Sequence, residues 1–149
     1  MPGICCLAGE VTDQGRRLQS MAESMKHEDR HLVDRYRASS CGIARVHLGI
    51  FNPEPQPIFN EDRSQLIFFD GKVYDYEDER KNLQRQGHIF NFTNNDAEFC
   101  LHLYEELGKD FVKRLNGTFA IAIYDIKQQK LLVVNDRYGL RPLYYAVDG

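Results

Sequence analysis

The run Phe119-Ala120-Ile121-Ala122-Ile123-Tyr124 is apolar at every position. Successive side chains of a strand point to opposite faces, so a strand without a polar parity must be covered on both sides. Asn116-Gly117 leads into the run. Lys127-Gln128-Gln129 reads as a hairpin turn into a further strand from Lys130 to Val134. A chain built around such a strand needs packed layers above and below it.

The remaining pattern supplies those layers. Ile4 to Val11 reads as a buried first strand, bounded by Thr12-Asp13-Gln14-Gly15. Leu18, Met21, Ala22 and Met25 fall at i, i+3, i+4 and i+7, one face of a helix. Cys41 to Ile50 reads as a strand. Asn52-Pro53-Glu54-Pro55-Gln56-Pro57 breaks regular structure, because proline fixes φ and removes a donor. Leu66 to Phe69 reads as a strand ended by the turn dipeptide Asp70-Gly71. Asn95 and Glu98 form a capping-box signal for a helix with Cys100, Leu103, Tyr104 and Leu107 on one face, stopped by Gly108. A short helix from Lys109 to Leu115 and a last strand around Leu143 to Ala146 complete the reading. Strands and helices alternate in blocks rather than as regular βαβ units, which supports an α+β fold.

At 149 residues the chain fits one domain. Its net charge of −3 calls for no nucleic-acid or membrane partner, and it has no long apolar span and no signal-peptide pattern. Cys5, Cys6, Cys41 and Cys100 match no zinc spacing and make a poor disulfide framework, so they read as reduced, buried thiols of a cytoplasmic protein. His27-Glu28-Asp29-Arg30-His31 has irregular metal spacing and reads as a solvated polar loop; no metal is expected.

Several long stretches carry a resemblance. They are Leu101-His102-Leu103-Tyr104-Glu105-Glu106-Leu107-Gly108, Arg114 through Asp125, and Asp136-Arg137-Tyr138-Gly139-Leu140-Arg141-Pro142-Leu143-Tyr144-Tyr145. Gln56-Pro57-Ile58-Phe59-Asn60-Glu61-Asp62 and Asp70-Gly71-Lys72-Val73-Tyr74-Asp75 add to them. In this order they resemble the glutaminase domain of asparagine synthetases, a class II glutamine amidotransferase. The resemblance spans nearly the whole chain. It implies the N-terminal-nucleophile hydrolase fold, a four-layer αββα sandwich of antiparallel sheets. It also implies a single type-2 domain over 1–149, short at its C-terminal end, with the family's ATP-using synthetase domain absent. A fragment and a stand-alone copy both fit.

The family's chemistry starts with an N-terminal cysteine whose own α-amine takes the thiol proton. Met1-Pro2-Gly3-Ile4 resembles the family's Met-Cys-Gly-Ile, so Pro2 fills the nucleophile slot and supplies no thiol. Cys5 and Cys6 lie further along the strand, about 10 Å or more away when extended. The family's oxyanion pair, an Asn side chain and the next Gly N–H, becomes Asp70 and Gly71. An ionised Asp accepts but does not donate. The substrate-carboxylate arginine becomes His47, with Arg45 on the same strand face; an exposed Arg45 is expected. The acidic residue that contacts the substrate amine becomes Lys72. Asp96 matches the family's other amine-binding acid, and an acid there also suits a helix N-terminus.

These departures fall on nucleophile, oxyanion donor and substrate clamps. The expected function is therefore an asparagine synthetase-like glutamine amidotransferase domain with glutaminase activity lost. Two alternatives stay open: an active hydrolase using Cys5 or Cys6, and a binding module with its own ligand. No organic cofactor is expected. The expected partners are a glutamine-like small molecule and an ATP-dependent synthetase domain or chain. A homodimer stays open.

Overall fold

A computed structural model describes residues 2–147. The elements run β1 (Gly3–Ala8), α1 (Gln14–Met25), β2 (Leu32–Ala38), β3 (Cys41–His47), β4 (Ile58–Phe59), β5 (Gln65–Tyr74), α2 (Glu77–Gln86), α3 (Asp96–Leu107), a 3₁₀ helix (Gly108–Arg114), β6 (Asn116–Asp125) and β7 (Lys130–Asn135). The strands form two sheets, ordered β1-β3-β2 and β4-β5-β6-β7, with every pairing antiparallel.

Strand alternation sorts side chains between layers. Cys5, Ala44 and Val46 pack with Leu18 and Ala22 of α1, while Ile4, Cys6, Cys41 and Ile43 face Leu66, Phe68, Ala122 and Tyr124 of the second sheet. Ile67, Phe69, Phe119, Ile121 and Ile123 point the other way, onto Phe99, Leu101 and Leu103 of α3 and Leu83 of α2. The β6 run is thus covered on both faces, as its composition requires. The layers are α1, sheet, sheet, then α2 with α3, an αββα sandwich.

Asn95 caps α3 by accepting from the Glu98 N–H at 3.0 Å. Glu98 does not return the bond. Its carboxylate instead accepts from the backbone N–H groups of Asn91 and Phe92, tying down the strap before the helix. The hairpin between β6 and β7 forms as read.

Two expectations are corrected, and two elements are added to the reading. Asp70-Gly71 is not a turn: β5 continues through it to Tyr74. Gly71 takes φ +135°, and a Cβ there would lie 2.0 Å from the Thr118 carbonyl oxygen, so the glycine permits close strand approach. The segment Leu143 to Ala146 forms no strand. Strand β2 and helix α2 were not anticipated. His27 to Arg30 are exposed, and His31 alone turns inward, its Nδ1 accepting from the N–H groups of His27 and Glu28 at 3.3 Å. No helix among the described residues is long and apolar enough to cross a membrane.

Candidate functional site

The N-terminus of α3 meets the middle of β5 and the loop after β3. Asp96, the first residue of α3, is fully buried at 0% exposure. Its Oδ1 accepts from Lys72 Nζ at 2.8 Å, and its Oδ2 accepts from the Val73 N–H and from Asn52 Nδ2, each at 3.3 Å. A cation, a backbone donor, an amide donor and the start of a helix thus all converge on one buried carboxylate. Lys72 Nζ also lies 5.9 Å from the Tyr76 ring centroid. Burial and the neighbouring Asp96 push the Tyr76 phenol upward.

Asn52 links this end of the site to β3. It sits in the left-handed region at φ 48°, which asparagine tolerates better than most residues. Its Oδ1 accepts from the Asp96 N–H at 2.7 Å, and its Nδ2 donates to the Gly71 carbonyl at 3.4 Å as well as to Asp96. Its own carbonyl accepts from Arg45 Nη2 at 2.8 Å. One asparagine therefore holds the helix start, the β5 crossing and an arginine together. Sequence reasoning had seen only a loop breaker here.

Arg45 is 1% exposed, not exposed as expected. The β3 parity that carries Cys41 and Ile43 inward carries Arg45 and His47 inward too. Arg45 is held by the carbonyls of Phe51 and Asn52 and by Asp34, whose Oδ2 lies 3.5 Å from Nη1. Asp34 stands directly opposite Arg45 on β2. His47 accepts from the Gly49 N–H at Nδ1, which leaves its proton on Nε2, 3.2 Å from the same Asp34 oxygen. The Asp34 contacts, an ion pair to Arg45 and a close approach to the His47 ring, fall short of aligned hydrogen bonds. Burial and the Arg45 charge pull the His47 pKa down, against the pull of Asp34. Pro2 precedes β1 at the His47 end of the ladder, since Gly3 pairs with Val46.

The last contributor comes from the C-terminal segment. Asp136 accepts from the N–H groups of Tyr138, Leu140, Arg141 and Phe119. That carboxylate folds the 137–141 loop and delivers the Arg141 guanidinium onto Asp70. Burial pushes the Asp70 carboxyl upward, opposed by Arg141 and Arg45.

The site residues read from the sequence thus fall into three charge pairings: Lys72 with Asp96, Arg141 with Asp70, and Arg45 and His47 with Asp34. Asp34, Asn52 and Arg141 were not singled out for roles beforehand. Cys5 and Cys6 lie within β1, Cys5 toward α1 and Cys6 between the sheets. Burial pushes both thiols above the ordinary cysteine value, so neither is poised as a thiolate.

The chain is 33% identical over its full length to the root asparagine synthetase [glutamine-hydrolyzing] of Pisum sativum, covering 26% of that protein. It is 35% identical to asparagine synthetase [glutamine-hydrolyzing] 2 of Bacillus subtilis, over 96% of this chain and 20% of that one. It thus spans about a quarter of the curated relatives it matches. Among solved structures, the glutamine phosphoribosylpyrophosphate amidotransferase of B. subtilis superposes with a TM-score of 0.57 over 70% of this chain and 25% of that one, at 23% identity. That likeness shows a shared fold, the N-terminal-nucleophile sandwich. A family model described as a glutamine amidotransferase domain matches residues 1–149. The chain belongs to the glutamine amidotransferase domain family, in its asparagine synthetase-like branch.

Proposed function

We propose that this chain is an asparagine synthetase-like glutamine amidotransferase domain that has lost glutaminase chemistry. It acts as a non-catalytic module of an ATP-dependent, amide-forming synthetase in the reducing cytoplasm. The synthetase activity belongs to a further domain or a partner chain.

One observation carries this reading. The Lys72 ammonium occupies Asp96 Oδ1 at 2.8 Å, where the family resemblance implies the α-ammonium of glutamine. The chain supplies internally the cation that a substrate would bring. Glutamine would have to displace a tethered ammonium, which is present at high effective concentration.

The other positions support the same conclusion. Glutaminase chemistry needs a thiolate, two oxyanion donors and a fork for the substrate carboxylate. Pro2 offers no sulfur. Asp70 presents acceptor oxygens where a donor is needed, and an ionised carboxylate repels an oxyanion. Gly71 retains an N–H but lacks its companion donor. His47 offers a single proton in place of a two-pronged guanidinium fork, and Asp34 Oδ2 lies 3.2 Å from it. The sandwich core is meanwhile closely packed between its layers.

The test is intact mass after incubation with an electrophilic glutamine analogue, paired with a glutamate-release assay. No adduct and no glutamate are expected. Glutamate release, or an adduct on Cys5 or Cys6, overturns the reading and establishes a relocated nucleophile.

A further inference from the structure

A second cluster lies two turns further along α3, away from Asp96. His102 and Glu105 come from α3, His88 from the strap after α2, and Glu61 from the turn between β4 and β5. One atom of each converges: His88 Nδ1, His102 Nδ1, Glu61 Oε1 and Glu105 Oε2. These atoms all lie within 4.8 Å of one another. The geometry points to a binding site for one divalent ion of the zinc type, held by these two imidazoles and two carboxylates.

Five of the six edges come close to those of a single ion, and the sixth, Glu61 Oε1 to Glu105 Oε2, lies within 4.8 Å and closes to about 4.2 Å or less when both bind. A tetrahedron with metal–ligand bonds of about 2.0–2.1 Å has edges of about 3.3 Å. The two Nδ1 atoms are 3.1 Å apart, and Glu105 Oε2 lies 3.0 Å from His102 and 3.7 Å from His88. Glu61 Oε1 lies 3.6 Å from His88 and 3.7 Å from His102. Two imidazole nitrogens with two carboxylate oxygens form a donor set that suits zinc.

The surroundings orient each donor toward the centre. Glu106 Oε1 lies 2.9 Å from His88 Nε2, which places the His88 proton there and leaves Nδ1 as a lone pair. That lone pair faces His102 Nδ1 at 3.1 Å and two carboxylate oxygens at 3.6 and 3.7 Å, a gathering that a proton on His102 Nδ1 holds together without metal and that a bound cation would hold in its place. Asn60 Nδ2 donates at 2.7 Å to Glu105 Oε1, leaving Oε2 turned inward. The Ile89 N–H holds Glu61 Oε1 at 3.1 Å. His102 is 2% exposed and its Nε2 has no partner, so Nδ1 is the nitrogen through which this buried ring is satisfied. A cleft of about 540 Å³, lined by Pro55, Phe59, Arg63, Glu61 and His102, gives the ion a way in.

The site is separate from the Lys72–Asp96 pair, and its test reads zinc rather than glutamine. The full chain, stripped with a chelator, is titrated with zinc chloride against a chromogenic competitor, with bound metal counted by elemental analysis. One zinc per chain and a rise in Tm are expected. His102 is buried and its loss endangers folding, so His88→Ala and Glu105→Gln carry the test, with far-UV circular dichroism as the folding check. Each should weaken zinc binding by about 100-fold or more, and Glu106→Ala by about 10-fold or more. Absence of stoichiometric zinc, or equal affinity in wild type and folded His88→Ala, overturns the proposal.

Discussion

Lys72 Nζ stands 2.8 Å from Asp96 Oδ1, so this buried carboxylate already has its cation within the chain. Lys72→Ala should destabilise the fold by about 1–3 kcal/mol, because a buried carboxylate loses a charged donor. The same change should open Asp96 to external ammonium. Millimolar L-glutamine is expected to raise the Tm of Lys72→Ala and not that of wild type. Thermal melts of both proteins with and without glutamine check this. Equal responses would separate the lysine from ligand exclusion.

Restoring sulfur alone should not restore chemistry. Pro2→Cys is expected to give no measurable glutamine hydrolysis, since Asp70 still opposes the oxyanion and Lys72 still covers Asp96. Adding Asp70→Asn supplies a donor whose counterpart in other enzymes is worth about 100-fold or more in rate. Adding Lys72→Glu returns the amine-binding acid. Ammonia release from the triple variant should exceed that of Pro2→Cys, measured side by side.

His47 makes stability depend on pH. Its folded pKa lies below the ordinary imidazole value because burial and Arg45 disfavour the charged ring. The unfolded chain therefore binds the proton more readily. Stability is full above the unfolded pKa of about 6.5 and falls as pH drops from there toward the folded pKa. His47→Gln does not titrate. The difference between wild-type and variant unfolding free energy, followed from pH 8 to pH 5, should shrink wild type's advantage as pH falls. A constant difference would remove His47 as the cause.

Gly71→Ala should be among the most damaging single changes. A Cβ would lie 2.0 Å from the Thr118 carbonyl oxygen and 2.7 Å from the Phe119 Cα, both backbone atoms that cannot swing aside. The residue would also be held at φ +135°. Overpacking and backbone strain together should cost about 3 kcal/mol or more, read as a drop in the denaturation midpoint.

Much of the scaffold was legible because burial writes itself into alternation. The β6 run, the face of α1 and the Asn95 cap each follow from a local pattern. The failures have physical causes too. Strand β2 was hidden by Asp34, a polar residue at the inward parity otherwise held by Tyr36 and Ala38, and it is there to meet Arg45 and His47. Strand β5 was cut short at Asp70-Gly71 because an acid followed by glycine reads as a turn. The acid is tolerated because Arg141 comes from far along the chain to meet it. Helix α2 buries only Leu83 fully, so it has almost no periodicity to read. At the site, the altered positions His47, Asp70 and Lys72 and the retained Asp96 could be named from the family pattern. Their mutual pairing could not, because it depends on Asn52 and Asp136 arranging loops in three dimensions.

The pairing of charges also bears on reversibility. Changing Asp70 back to a neutral amide strands the Arg141 guanidinium, and changing Lys72 back to an acid sets a second carboxylate near the buried Asp96. Each single step toward glutamine use thus passes through a less stable protein, and the benefit arrives only when several steps coincide. Under the proposed loss of glutaminase chemistry, the two ion pairs act as a ratchet: small changes lead into this state, and no equally small changes lead back.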